Sequence, residues 1–78
     1  MVIRLNSVEK VKTFVNKISR VDASVDLVSG RYVVDAKSIM GIFSLDLKRP
    51  IEVKVLSGDE QQVQEILREF EVPNHQAA

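Results

Sequence analysis

The spacing of apolar positions changes repeatedly along the chain, and each change predicts a new element. Val2-Ile3-Arg4-Leu5 is a short strand-like run. Two residues then compete to cap a first helix: Asn6 has the capping-box spacing to Glu9, and Ser7 follows one residue on. Val8, Val11, Val15 and Ile18 recur at helical spacing and Phe14 widens the stripe, which predicts a helix over 7–20. Ala23, Val25 and Leu27 then alternate with Ser24 and Asp26, a period of two that predicts a half-buried strand. Ser29-Gly30 has the residues of a tight hairpin turn, and Tyr32, Val34 and Ala36 alternate beyond it as an antiparallel partner.

The period shifts again at Lys37. Ser38 is a good N-cap for a short helix running to about Leu45, and Gly41 inside it marks close packing or the approach of a partner. Ile51, Val53 and Val55 alternate as a fourth strand that starts after Pro50. Ser57-Gly58-Asp59 opens the last helix, in which Val63, Ile66, Leu67 and Phe70 form a stripe at i, i+3, i+4 and i+7. Pro73 ends it, so residues 1–73 are expected to form one domain and 74–78 a flexible tail. The order β-α-β-β-α-β-α, with one polar face on every strand, predicts an open-faced α/β sandwich whose helices cover one side of the sheet.

Composition narrows the function classes. Seventy-eight residues make one small domain with a modest core. With 11 basic and 11 acidic side chains the formal net charge is zero, which argues against direct nucleic-acid binding. There is no cysteine and hence no disulfide, thiolate nucleophile or zinc ribbon. A signal peptide and an apolar run long enough to span a membrane are also lacking, and a cytoplasmic domain is expected.

Candidate chemistry is sparse. The lone histidine, His75, lies in the expected tail with no second histidine or cysteine to join it in a metal site or a triad. No catalytic residue, metal or cofactor is expected, and no phosphate loop of the GxxxxGK type occurs. What stands out is the segment from Lys37 to Leu45. If Ile42 and Leu45 point to the core, Ile39, Met40 and Phe43 form an outward apolar patch of the kind that meets partners. The alternative is a short helix buried on both sides. Ser38 likewise has two readings, a cap satisfying a backbone N–H or a phosphorylation site beside Lys37.

The string Ala36-Lys37-Ser38-Ile39-Met40-Gly41-Ile42-Phe43-Ser44-Leu45 closely resembles the regulatory-serine segment of HPr, the histidine-containing phosphocarrier of the bacterial sugar phosphotransferase system. Val21 to Leu27 resembles the family's second strand, Ser29-Gly30 its hairpin, and Ser57 to Glu60 the start of its last helix. The resemblance implies an open-faced β-sandwich with three helices on one face of a four-stranded antiparallel sheet, which agrees with the order read from periodicity. One motif departs. The family opens its first helix with a Gly-Ile/Leu-His-Ala-Arg-Pro-like stretch, whose histidine takes phosphate and whose arginine steadies it. Ungapped counting from strand two puts Ser7 at the histidine, Glu9 at the arginine and Lys10 at the proline.

Among HPr-like proteins this pattern is most similar to the catabolite-repression type, which lacks the phosphorylatable histidine and keeps the regulatory serine. The resemblance implies a non-enzymatic regulatory module in which an HPr kinase/phosphorylase-like enzyme modifies Ser38. Its implied partners are a transcriptional regulator or phosphotransferase-system proteins, met through Lys37, Ile39, Met40 and Phe43. Two rivals stay open. One is a plain docking domain whose Ser38 only caps a helix; the other is a divergent phosphocarrier using another residue.

Overall fold

The computed structural model describes residues 1–72, so Pro73 and the expected tail 74–78 lie outside the described residues. The elements run β1 (Val2–Ile3), α1 (Val8–Ile18), β2 (Ala23–Ser29), β3 (Tyr32–Asp35), α2 (Ile39–Phe43), β4 (Ile51–Gly58) and α3 (Glu60–Leu67). A 3-10 turn over Arg68–Phe70 continues α3. The strands form one antiparallel sheet in the order β1-β4-β2-β3. This is the three-helix, four-strand open arrangement that periodicity predicts.

Local chemistry explains most boundaries. Of the two competing caps, Ser7 is the one used: its hydroxyl accepts from the Lys10 N–H at 3.1 Å. Asp59 caps α3 by accepting from the Gln62 N–H, so β4 runs on through Gly58 before the helix begins. Gly58 sits at φ 99°, and a Cβ there would lie 2.5 Å from the Ala23 Cα and the Asp22 carbonyl oxygen. Only glycine fits that backbone crossing. At the β2–β3 turn Gly30 has φ 61° and Arg31 has no positive φ, the pattern of a type II′ hairpin.

The core gathers one face of every element. Val11, Phe14 and Ile18 of α1 are buried with Val63, Leu67 and Phe70, over Val25, Leu27, Ile51 and Val53 of the sheet. The Phe14 and Phe70 rings meet edge to face, with centroids 5.5 Å apart. Three stripe positions fall short of the expected burial: Val8 is exposed, and Val15 and Ile66 are half-buried. Helical geometry gives the reason. At about 100° per residue, Val11, Phe14 and Ile18 fall within an arc of about 60°, while Val8 and Val15 lie at its margin. Ile66 sits at the margin of the α3 stripe in the same way.

The first strand is shorter than the expected Val2–Leu5 run, although Leu5 is still fully buried. Residues 70–72 secure this edge. The Arg4 N–H donates to the Phe70 carbonyl at 2.9 Å, and the Val72 N–H donates to the Val2 carbonyl at 3.0 Å. The bulge in the β2–β4 ladder, where Ser24 faces Ser57 and Val25 faces Val55, leaves Leu56 unpaired and exposed.

Candidate functional site

Ser38 follows β3 through a tight corner that its neighbours build. The Asp35 carboxylate accepts from the Lys37 N–H at 2.8 Å, and the Asp35 carbonyl accepts from the Ser38 N–H at 3.0 Å. An aspartate two residues before the amide it holds is an Asx turn, a spacing visible in the sequence that apolar periodicity passes over. Ser38 then leaves the corner in extended backbone, and its hydroxyl accepts from the Gly41 N–H at 3.1 Å. Its carbonyl accepts from Ile42, which starts the helical ladder. Ser38 is exposed, so one hydroxyl both caps α2 and faces solvent.

Gly41 owes its place to packing. A Cβ at that position would lie 3.1 Å from the Ser38 Oγ and 3.2 Å from the Val34 Cβ. The turn of α2 is thereby pressed against β3 and beneath the serine hydroxyl. The helix ends early, where Ser44 donates its hydroxyl to the Gly41 carbonyl.

The apolar residues around Ser38 do not share one fate. Met40 is 81% exposed and Phe43 41% exposed, whereas Ile39 is half-buried and packs against the core. The expected outward patch of Ile39, Met40 and Phe43 is therefore corrected to Met40 and Phe43. The reason is the length of α2. It stops at Phe43, so Leu45 reaches the core from the following turn and does not help set the buried face of the helix. Ile39 and Ile42, three apart, set that face instead. Lys37 also differs from expectation: it is half-buried, and its ammonium donates to the Val21 carbonyl at 2.9 Å. That bond ties the segment before α2 to the connection between α1 and β2.

Ser7, which ungapped counting in the sequence sets against the family histidine, has its hydroxyl engaged within its own helix by the Lys10 N–H. Among the described residues no group of His, Cys, Asp or Glu side chains could hold a metal ion, and no helix is long and apolar enough to cross a membrane. An open cleft of about 870 Å³ lies between the β2–β3 turn and the α2–β4 connection, lined by Arg31, Tyr32 and Arg49 among others, and does not include Ser38.

Among curated proteins none matches the chain by sequence. Solved structures do share its fold. An HPr-C-His protein from Thermoanaerobacter tengcongensis is similar with a TM-score of 0.77 at 22% identity, over 88% of this chain and 85% of that one. The phosphocarrier protein HPr from Bacillus anthracis str. Ames gives a TM-score of 0.78 at 22% identity, over 91% and 94% of the two chains. Crh, the catabolite repression containing protein of Bacillus subtilis, gives 0.65 at 23% identity, over 91% and 88%; it is described as a swapped, intertwined dimer. The family model described as the phosphorylation site of the HPr component of the phosphotransferase system matches residues 9–71. Those matched residues contain no histidine. A match over so much of the chain makes it a member of the HPr family of the phosphotransferase system.

Proposed function

We propose that this chain is a regulatory member of its family, one that exchanges no phosphate through histidine and signals through Ser38 and the exposed side of α2. The observation that carries this reading is the joint state of Ser38 and Met40: a solvent-exposed hydroxyl lies two residues before an 81% exposed methionine. A kinase can reach such a serine. Phosphate there adds nearly two negative charges beside an apolar contact surface. The partner, a transcriptional regulator or another phosphotransferase-system protein, would then read charge and apolar contact together. Lys37 supports the segment from below through its bond to Val21, and Ile39 anchors it, so neither is a primary contact in this reading.

At the start of α1, Ser7 replaces the carrier chemistry with a cap. A serine hydroxyl forms a phosphate ester and not the phosphoramidate that makes a histidine carrier reversible. The adjacent Glu9 would repel a phosphate. The likeness to Crh adds support from the fold level alone. Incubation with an HPr kinase and ATP should put phosphate on Ser38, mapped by mass spectrometry, and Ser38→Ala should abolish it. Incubation with phosphoenolpyruvate and the general phosphotransferase enzyme should label nothing. Acid-labile phosphate in that second arm, retained by a His75→Ala control, would revive the carrier reading.

A further inference from the structure

We propose that the free edge of β3 pairs antiparallel with β3 of a second copy, joining two sheets into one. This inference is independent of what Ser38 does. It starts from the hairpin register. Ser29 faces Tyr32, Leu27 faces Val34, and the Ala36 N–H donates to the Val25 carbonyl. In a two-residue hairpin the positions flanking the turn form a hydrogen-bonded pair, and such pairs then recur at every second residue. Residues 32, 34 and 36 therefore bond to β2, while the N–H and C=O of Val33 point out from the sheet edge. β3 stands last in the strand order, and among the described residues no strand lies beyond it.

The other sheet edge is protected, since residues 70–72 lie along β1. Protection of that kind is how small sheets suppress strand addition, and among the described residues no backbone segment lies along the outer edge of β3. Tyr32 is 69% and Val33 60% exposed.

The residues around this edge select a second copy as occupant. Antiparallel self-pairing centred on Val33 sets Val33 against the partner's Val33, with two reciprocal N–H···O=C bonds. It sets Tyr32 against the partner's Val34, and Arg31 against the partner's Asp35. That last pair occurs twice by symmetry. Within one chain neither Arg31 nor Asp35 has an ion-pair partner among the described residues. Asp35 instead stands directly opposite Asp26 in the ladder, a like-charge pair that disfavours the isolated hairpin. An incoming Arg31 would relieve it. Self-complementarity about a two-fold axis is what an isologous dimer requires.

Sedimentation velocity should show the mass rising from one chain towards two between about 1 µM and about 1 mM, the range of weak association. Over the same range, hydrogen exchange of the Val33 amide should slow with concentration. Val33→Pro removes the bridging N–H without touching the β2 ladder, and should remain a monomer throughout. Should that variant fail to fold, Arg31→Asp serves in its place, because Gly-Asp suits the turn. It should raise the concentration needed for dimerisation by about tenfold or more, through like-charge pairs at both ends. A wild-type mass fixed at one chain would overturn the proposal and leave the edge to another protein's strand or to water. Dimerisation without slowing at Val33, or undiminished in either variant, would overturn it in favour of a different interface.

Discussion

Ser38 and Gly58 show how much one residue can carry in this fold. The Ser38 hydroxyl satisfies an N–H in the first turn of α2, so Ser38→Ala should cost about 1 kcal/mol, read from thermal unfolding. Ser38→Asp should stay within about 1 kcal/mol of the wild type, since aspartate also caps and a negative charge is tolerated at a helix start. A much larger loss would mean that the hydroxyl is needed for more than the cap. At Gly58 the backbone conformation and the approach of Ala23 act together. Gly58→Ala should therefore destabilise by about 1–3 kcal/mol or more, detectable as a lower urea midpoint. The turn residues were legible in the sequence because serine, aspartate and glycine have few alternative uses at such positions. The contact between Gly58 and Ala23 was not, because it joins residues far apart in the chain.

At the scale of elements, α2 is where sequence reasoning and structure part most. Its start follows from Ser38, yet its end and its buried face follow from packing. Reading Ile42 and Leu45 as one helical face required a helix long enough to contain both. The chain instead turns at Ser44, so Ile39 takes the inward place and Met40 is left outermost. Met40→Glu should leave the unfolding midpoint essentially unchanged, because a side chain 81% exposed contributes little burial. The same substitution should abolish capture of the partner proposed for phosphorylated Ser38. Retained binding would move the contact surface away from α2.

The whole molecule depends on α1 and α3 sealing one side of the sheet. Lys17 and Glu69 form an ion pair between α1 and the turn after α3, but both side chains are about half exposed, so the pair adds little. The apolar seam beneath it holds the layer together. Leu67 is 1% exposed at its centre, and Leu67→Ala should cost about 2–5 kcal/mol in urea unfolding. That is a large part of the roughly 5–15 kcal/mol that stabilises a typical domain. A change within about half a kcal/mol would mean that α3 is not docked as described. The opposite face of the sheet stays open, with Val2, Glu52, Val28 and Val33 in one row across all four strands.

The sequence by itself determined the order of the elements, the cap at Ser38, the one-sided burial of the strands and the family. Each of these follows from residue type and near-neighbour spacing, which act within a turn or a ladder step. The tertiary structure alone decided four things: that Ile39 turns inward, that Lys37 is held by Val21, that residues 70–72 cover β1, and that β3 is left as an edge. These are set by which distant surfaces meet and how much apolar area each meeting removes from water. A one-dimensional pattern carries the period of a face, and only the assembled layers give that face a neighbour.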